Sequence, residues 1–209
     1  MTKIRLFAAA LVAVLMATLV VGESVAQERI FDPATNEWVY LDDAPAATPN
    51  RRVARRALQA RGSSVKRETV KYASNYAPGT IVVESSKFRL YYIVDSDTAI
   101  SYGIGVGRDG FRWSGSHRIS RKAEWPGWTP PPAMRKRQPE LPAYMPGGPG
   151  NPLGARALYI GSTLYRLHGT SEPWTIGHQV SSGCIRLTNE DIIDLYGRVK
   201  VGARVIVRL

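Results

Sequence analysis

Cysteine occurs once in 209 residues and histidine three times, which excludes an intramolecular disulfide framework and a cysteine-rich zinc site. The lone thiol, Cys184, is left as a buried inert group, an intermolecular link or a nucleophile. Imidazole is available only at His117, His168 and His178, and their separations give no pair at metal-ligand spacing, so neither a metal nor a cofactor is expected. Acidic side chains are also scarce: 17 Asp and Glu face 28 Lys and Arg, for a formal charge of +11. That balance favours acidic partners, but charge alone does not choose among nucleic acid, an anionic membrane surface and cell-wall polymer. No Gly-x-Gly-x-x-Gly follows a strand, no P-loop occurs, and the basic and aromatic residues form no recognisable nucleic-acid module; nucleic acid is not an expected partner. Hydrophobic residues make up 44% and charged residues 22%, which excludes disorder throughout and fits one globular domain with extensions.

Only one long apolar run exists, Leu6 to Val21, with Lys3 and Arg5 before it and Ser24-Val25-Ala26 after it. Its sixteen residues fall short of the roughly 20 a spanning helix needs. The charged start, apolar centre and small residues at an A-x-A-like site read as a secretory signal peptide over 1–26. The expected product is exported, and in a bacterium with two membranes periplasmic. A lone cysteine retained in an oxidising compartment risks unwanted disulfides, which raises the prospect that it performs chemistry.

Residues 27–79 show weak apolar periodicity, a mildly acidic piece being followed by a basic one from Arg51 to Lys71; they read as a charged, flexible linker. From Thr80 the pattern changes to strands. Ile81-Val82-Val83 and the alternating Phe88, Leu90, Tyr92 and Val94 predict a hairpin, with a third strand over Thr98 to Val106. Residues 126–152 hold nine of the fourteen prolines, which predicts a long, stiffened lid loop without regular helix or central strand. Two strands, Ala157 to Ile160 and Thr163 to Leu167, follow, the second delivering His168-Gly169-Thr170. Thr188 and Asp191 have capping-box spacing before an amphipathic helix, and Val201 to Leu209 alternates as a closing strand. The expectation is one mainly β domain over 80–208, with a short helix just after the cysteine.

Ser181-Ser182-Gly183-Cys184-Ile185-Arg186-Leu187 sets the cysteine between a glycine and a helix start. A thiol with a pKa of about 8.5 is mostly un-ionised at neutral pH and needs a base or a positive neighbour; an imidazole, a helix N-terminus and Arg186 are the candidates. Gly183 would let the backbone turn so that consecutive N–H groups converge on one oxyanion. Spacing does not choose between His168 and His178. A strand end is the more rigid mount, and the carbonyl of Gly169 lies beside His168 to accept its other ring proton, so His168 is the favoured base. His117, among Ser114, Ser116 and Arg118, reads as structural in a strand-linking segment.

Together, His168-Gly169-Thr170, Ile176-Gly177, Ser181 to Leu187 and Asp194-Leu195-Tyr196 resemble the signature of L,D-transpeptidases of the YkuD type, and Met145-Pro146-Gly147-Gly148 and Asn151-Pro152-Leu153-Gly154 extend the likeness. It covers roughly residues 79–208. The resemblance implies a β-sandwich-like catalytic domain acting on peptidoglycan stem peptides, with Cys184 as nucleophile, His168 as general base and acid, and the Gly169 carbonyl orienting the imidazole. Backbone N–H groups around Ser182, Gly183 and Cys184 would hold the oxyanion. Arg186 and the lid aromatics Trp125, Trp128 and Tyr144 would contact substrate. The family's usual histidine before Gly-Cys is Ser182 here. The acyl acceptor is left open: another stem peptide's amine, the amine of an outer-membrane protein, or water. A non-catalytic peptidoglycan-binding module is the reading from a different class; it would more naturally have lost Cys184 or His168.

Overall fold

The computed structural model describes residues 29–32, 37–40, 63 and 65–209; the segment read as a signal peptide and the basic run around Arg51 to Arg56 lie outside the described residues. Two short strands, β1 (Arg29–Asp32) and β2 (Glu37–Tyr40), pair with each other antiparallel. The remainder is mainly β. Its strands are β3 (Glu68–Lys71), β4 (Ile81–Glu84), β5 (Arg89–Ile93), β6 (Thr98–Gly103), β7 (Val106–Gly107), β8 (Gly115–Glu124), β9 (Arg156–Ile160), β10 (Arg166–His168), β11 (Gln179–Ser181), β12 (Ile185–Arg186) and β13 (Arg204–Arg208), with helices α1 (Pro132–Arg137) and α2 (Asn189–Arg198). Nine of them form one sheet in the order β12-β10-β9-β8-β13-β4-β5-β6-β3, and β11 pairs with β7.

Ile81, Val82 and Val83 are all fully buried, as a continuous apolar run at the centre of a covered sheet should be. β4 pairs parallel with β13 on one side and antiparallel with β5 on the other. The ten-residue β8 bridges the halves of the sheet. Gly115 to Arg118 pair with β13, Ile119 to Glu124 pair with β9, and a register irregularity falls between Ile119 and Arg121; such irregularities bend a strand and increase its twist. The bend lets both halves feed one core, in which Ile81, Leu90 and Tyr102 from one side meet Leu158, Leu167 and Ile185 from the other, with Ile192 and Leu195 of α2 closing it.

The predicted hairpin is β4–β5, and the predicted closing strand is β13. Four expectations need correction. β3, inside the stretch read as linker, pairs antiparallel with β6; its Glu-Thr-Val-Lys carries one apolar residue, as an exposed edge strand does. β8 was expected only as a strand-linking segment around His117, because its largely solvent-facing residues hide its period; His117 lies within it, opposite Val205. The strand before His168 begins at Arg166 rather than Thr163, since the Thr163 hydroxyl donates to Ile160 O (2.6 Å) and accepts from Tyr165 N–H (3.0 Å), closing a turn. The Pro-rich stretch does contain a helix, α1, whose proline at the first position loses no hydrogen bond that a helix start would make.

Candidate active site

Strands β10 and β12 run parallel, with Leu167 opposite Ile185 and His168 opposite Arg186. Side chains alternate across a strand, so Leu167 and Ile185 enter the core while Arg166, His168 and Arg186 face the other way. Cys184 immediately precedes β12. All four line one cleft of about 460 Å³. Its opposite wall comes from Trp128, Met134 and Arg137 of the Pro-rich lid and from Phe111, with Leu164 and Tyr165 at the turn before β10.

His168 is buried, and its Nδ1 lies 2.5 Å from Gly169 O. A carbonyl only accepts, so Nδ1 carries the proton and Nε2 keeps the lone pair. Burial, then the Arg186 guanidinium and more weakly that of Arg166, push the imidazole down to about 3, against the pull of the Gly169 and Leu153 carbonyls. The resting ring is neutral and available as a proton acceptor. Gly169 is fixed in turn from α2: Asn189 Oδ1 accepts from Ala155 N–H (2.9 Å) and Thr170 N–H (3.2 Å). A Cβ on either Gly154 or Gly169 would come within 2.2 Å of that oxygen.

The turn that presents Cys184 is held at three points. The Ser181 hydroxyl donates to Cys184 O (2.5 Å) and accepts from Gly183 N–H (3.1 Å), and Trp113 Nε1–H donates to Gly183 O (2.7 Å). Trp113 stacks on Tyr165 at 4.4 Å, and a Cβ on Gly183 would stand 2.4 Å from that tyrosine ring. With φ at +106°, the position suits only glycine. Cys184 itself is half-buried and free, its Sγ 3.8 Å from Leu164 O.

Some expectations change at this level of detail. Gly183 N–H is committed to the Ser181 hydroxyl, whereas the N–H groups of Ser182 and Cys184 make no backbone hydrogen bond among the described residues. Of the three lid aromatics only Trp128 lines the cleft. Trp125 and Tyr144 are exposed and do not line it. Arg186 does line the cleft, but its Nη1 is 3.0 Å from Glu172 Oε2. His178 does not line it. Unanticipated cleft residues are Phe111, Leu164, Tyr165 and Arg166; they carry no motif of their own, and the pairing of β10 with β12 brings in the last three while that of β7 with β11 brings in Phe111.

The model of the YkuD family, the L,D-transpeptidase catalytic domain, matches residues 78–207. The chain belongs to that family. A probable L,D-transpeptidase, ErfK/SrfK of Escherichia coli K12, is 46% identical over 134 residues, 60% of this chain and 42% of its own; the match thus spans less than half the length of that relative. A Brucella melitensis crystal structure described as a probable carnitine operon oxidoreductase is 43% identical and covers 71% of this chain and 97% of its own, at a TM-score of 0.49. An L,D-transpeptidase from Mycobacterium smegmatis shares the fold at 20% identity and a TM-score of 0.51, over 64% of this chain and 59% of its own. In this YkuD domain the fold therefore agrees with the mainly β architecture expected from the sequence.

Proposed function

We propose that the protein is a peptidoglycan L,D-transpeptidase in which Cys184 is the nucleophile and His168 the general base and acid. The observation that carries the reading is a neutral, buried imidazole whose Nδ1 proton is held by Gly169 O, in the same cleft as the only cysteine. Nε2 takes the thiol proton, and sulfur attacks the carbonyl of the third stem residue, forming a tetrahedral oxyanion facing the N–H groups of Cys184 and Ser182. The thiolate formed beside the ring supplies the negative charge that an imidazolium between two guanidinium groups requires. As the oxyanion collapses, the bond to the terminal D-alanine breaks and Nε2 gives its proton to the leaving amine. An acceptor amine then attacks the thioester, loses a proton to Nε2 and releases the sulfur, which recovers the proton. A stem-peptide amine as acceptor gives a 3-3 cross-link; water gives an L,D-carboxypeptidase, and the amine of an outer-membrane protein would tether that protein to the wall.

The lid fits this chemistry because a thioester must outlive its exposure to water. Trp128 and Met134 supply the apolar cover, and paired backbone hydrogen bonds between Trp128 and Met145, both 2.8 Å, fasten the base of the lid. Export follows from the same reading, since the substrate lies outside the cytoplasm; the charged start and apolar run over 1–26 fit a cleaved signal peptide and a periplasmic, wall-associated enzyme. Acid-quenched intact-mass analysis after incubation with disaccharide-tetrapeptide tests the covalent step. Wild type should gain the mass of the donor less D-alanine, and Cys184→Ala should gain nothing. Equal D-alanine release by both proteins would refute the assignment of the nucleophile.

A further inference from the structure

Three guanidinium groups line the cleft, those of Arg137, Arg166 and Arg186, and they are not equivalent. Arg186 is paired with Glu172. Arg137 belongs to the lid and lies over the Phe111 ring at 5.1 Å. The Arg166 side chain makes no hydrogen bond or ion pair among the described residues; its Nε is fully buried without a partner, as is that of Arg186, but only Arg186 has a carboxylate, Glu172, to match its charge. The Cζ of Arg166 lies 5.2 Å from the Tyr159 ring. A buried donor on a charged group is costly to leave unmatched, and here the unmatched group borders the reacting cleft. Arg166 also precedes His168 by two positions on β10 and lines the same cleft as Cys184, so an anion held there would sit beside the scissile bond.

We propose that Arg166 is a specificity-determining residue that binds a substrate carboxylate flanking the scissile amide. The inference rests on the functional reading above and deepens it. A stem tetrapeptide offers two such carboxylates, the terminal one on the leaving D-alanine and the side-chain one on a diaminopimelate at the third position. Both meet a guanidinium in the same way, through paired N–H donors. Arg166 would then exclude donors that lack the charge, and substrate binding would relieve the unmatched Nε.

The test measures kcat/KM for release of the terminal residue from three tetrapeptides: unmodified, amidated at the terminal carboxylate, and amidated at the third-residue side chain. With wild type, one of the two amides should react roughly ten- to hundred-fold more slowly than the unmodified donor, the range expected for a lost charge-assisted hydrogen bond. The slow amide identifies which carboxylate is bound. Arg166→Gln should slow the unmodified donor to the rate of that amide and abolish the preference, whereas Arg166→Lys should restore part of it. An Arg166→Gln variant that retains the wild-type preference would overturn the inference, as would a wild type that accepts all three donors equally; the latter outcome decides the matter even if the variant does not fold. Failure of wild type to release the terminal residue from any donor would instead overturn the functional reading itself.

Discussion

At the scale of single residues, the protonation of His168 links the proposed chemistry to stability. An unfolded chain's imidazole takes up a proton near pH 6.5, whereas the native ring, buried and flanked by Arg186 and Arg166, resists protonation down to about 3. Between those values the unfolded state holds more protons, so native stability falls as the pH drops; above about 6.5 the contribution is complete. The slope from this one group is bounded at about 1.4 kcal/mol per pH unit. His168→Gln should flatten the dependence of the urea midpoint on pH across this window relative to wild type, because the remaining titrating groups are common to both proteins. Parallel curves would contradict the depressed protonation of the ring. That His168 and Cys184 share one cleft was legible in the sequence because histidine and cysteine are so few, and Gly169 beside a strand end marked the imidazole's anchor. The destination of Gly183 N–H was not legible, since it depends on a Ser181 rotamer, and neither was the exposure of Trp125 and Tyr144 away from the cleft, which depends on how the lid packs rather than on its composition.

At the scale of elements, the site is a joint between α2 and two short strands. Thr188 caps the helix by accepting from Asp191 N–H at 3.1 Å, and the next residue, Asn189, reaches back to the loop that follows β10. Its oxygen ties Thr170, next to Gly169, to Ala155 ahead of β9, and the Gly169 carbonyl sets the tautomer of His168. Asn189→Ala leaves two backbone N–H groups of low exposure unpaired, at a cost on the order of 1–3 kcal/mol each. Activity should fall beyond what lost stability explains. In an imidazole nitrogen NMR spectrum of the variant, the Nδ1-protonated signature of His168 should weaken; an unchanged tautomer with full kcat would rule out this positioning role. Elements with strong period were readable in advance: β4 by its continuous apolar run, β13 by alternation, α2 by cap and amphipathicity. β8 and β3 were not, because strands that face solvent on most positions leave little hydrophobic period to read, and their existence is dictated by partners far along the chain.

At the scale of the whole molecule, the bend in β8 lets two halves of one sheet share a core while leaving β10 and β12 at its margin. A margin is where a polymeric substrate can reach a cleft without threading through the fold. Cleavage after Ala26 would remove Lys3, Arg5 and Glu23 and leave 26 basic against 16 acidic side chains, a formal charge of +10, which suits long-range attraction to the carboxylate-bearing wall of the proposed function. The central claim, that this scaffold makes cross-links through Cys184, is tested most directly by mass spectrometry of the products formed from purified disaccharide-tetrapeptide. Wild type should yield dimers joined between third residues with loss of one D-alanine, and Cys184→Ala should leave the tetrapeptide unchanged. Tetrapeptide left intact by the wild type, or dimers formed equally by Cys184→Ala, would contradict it.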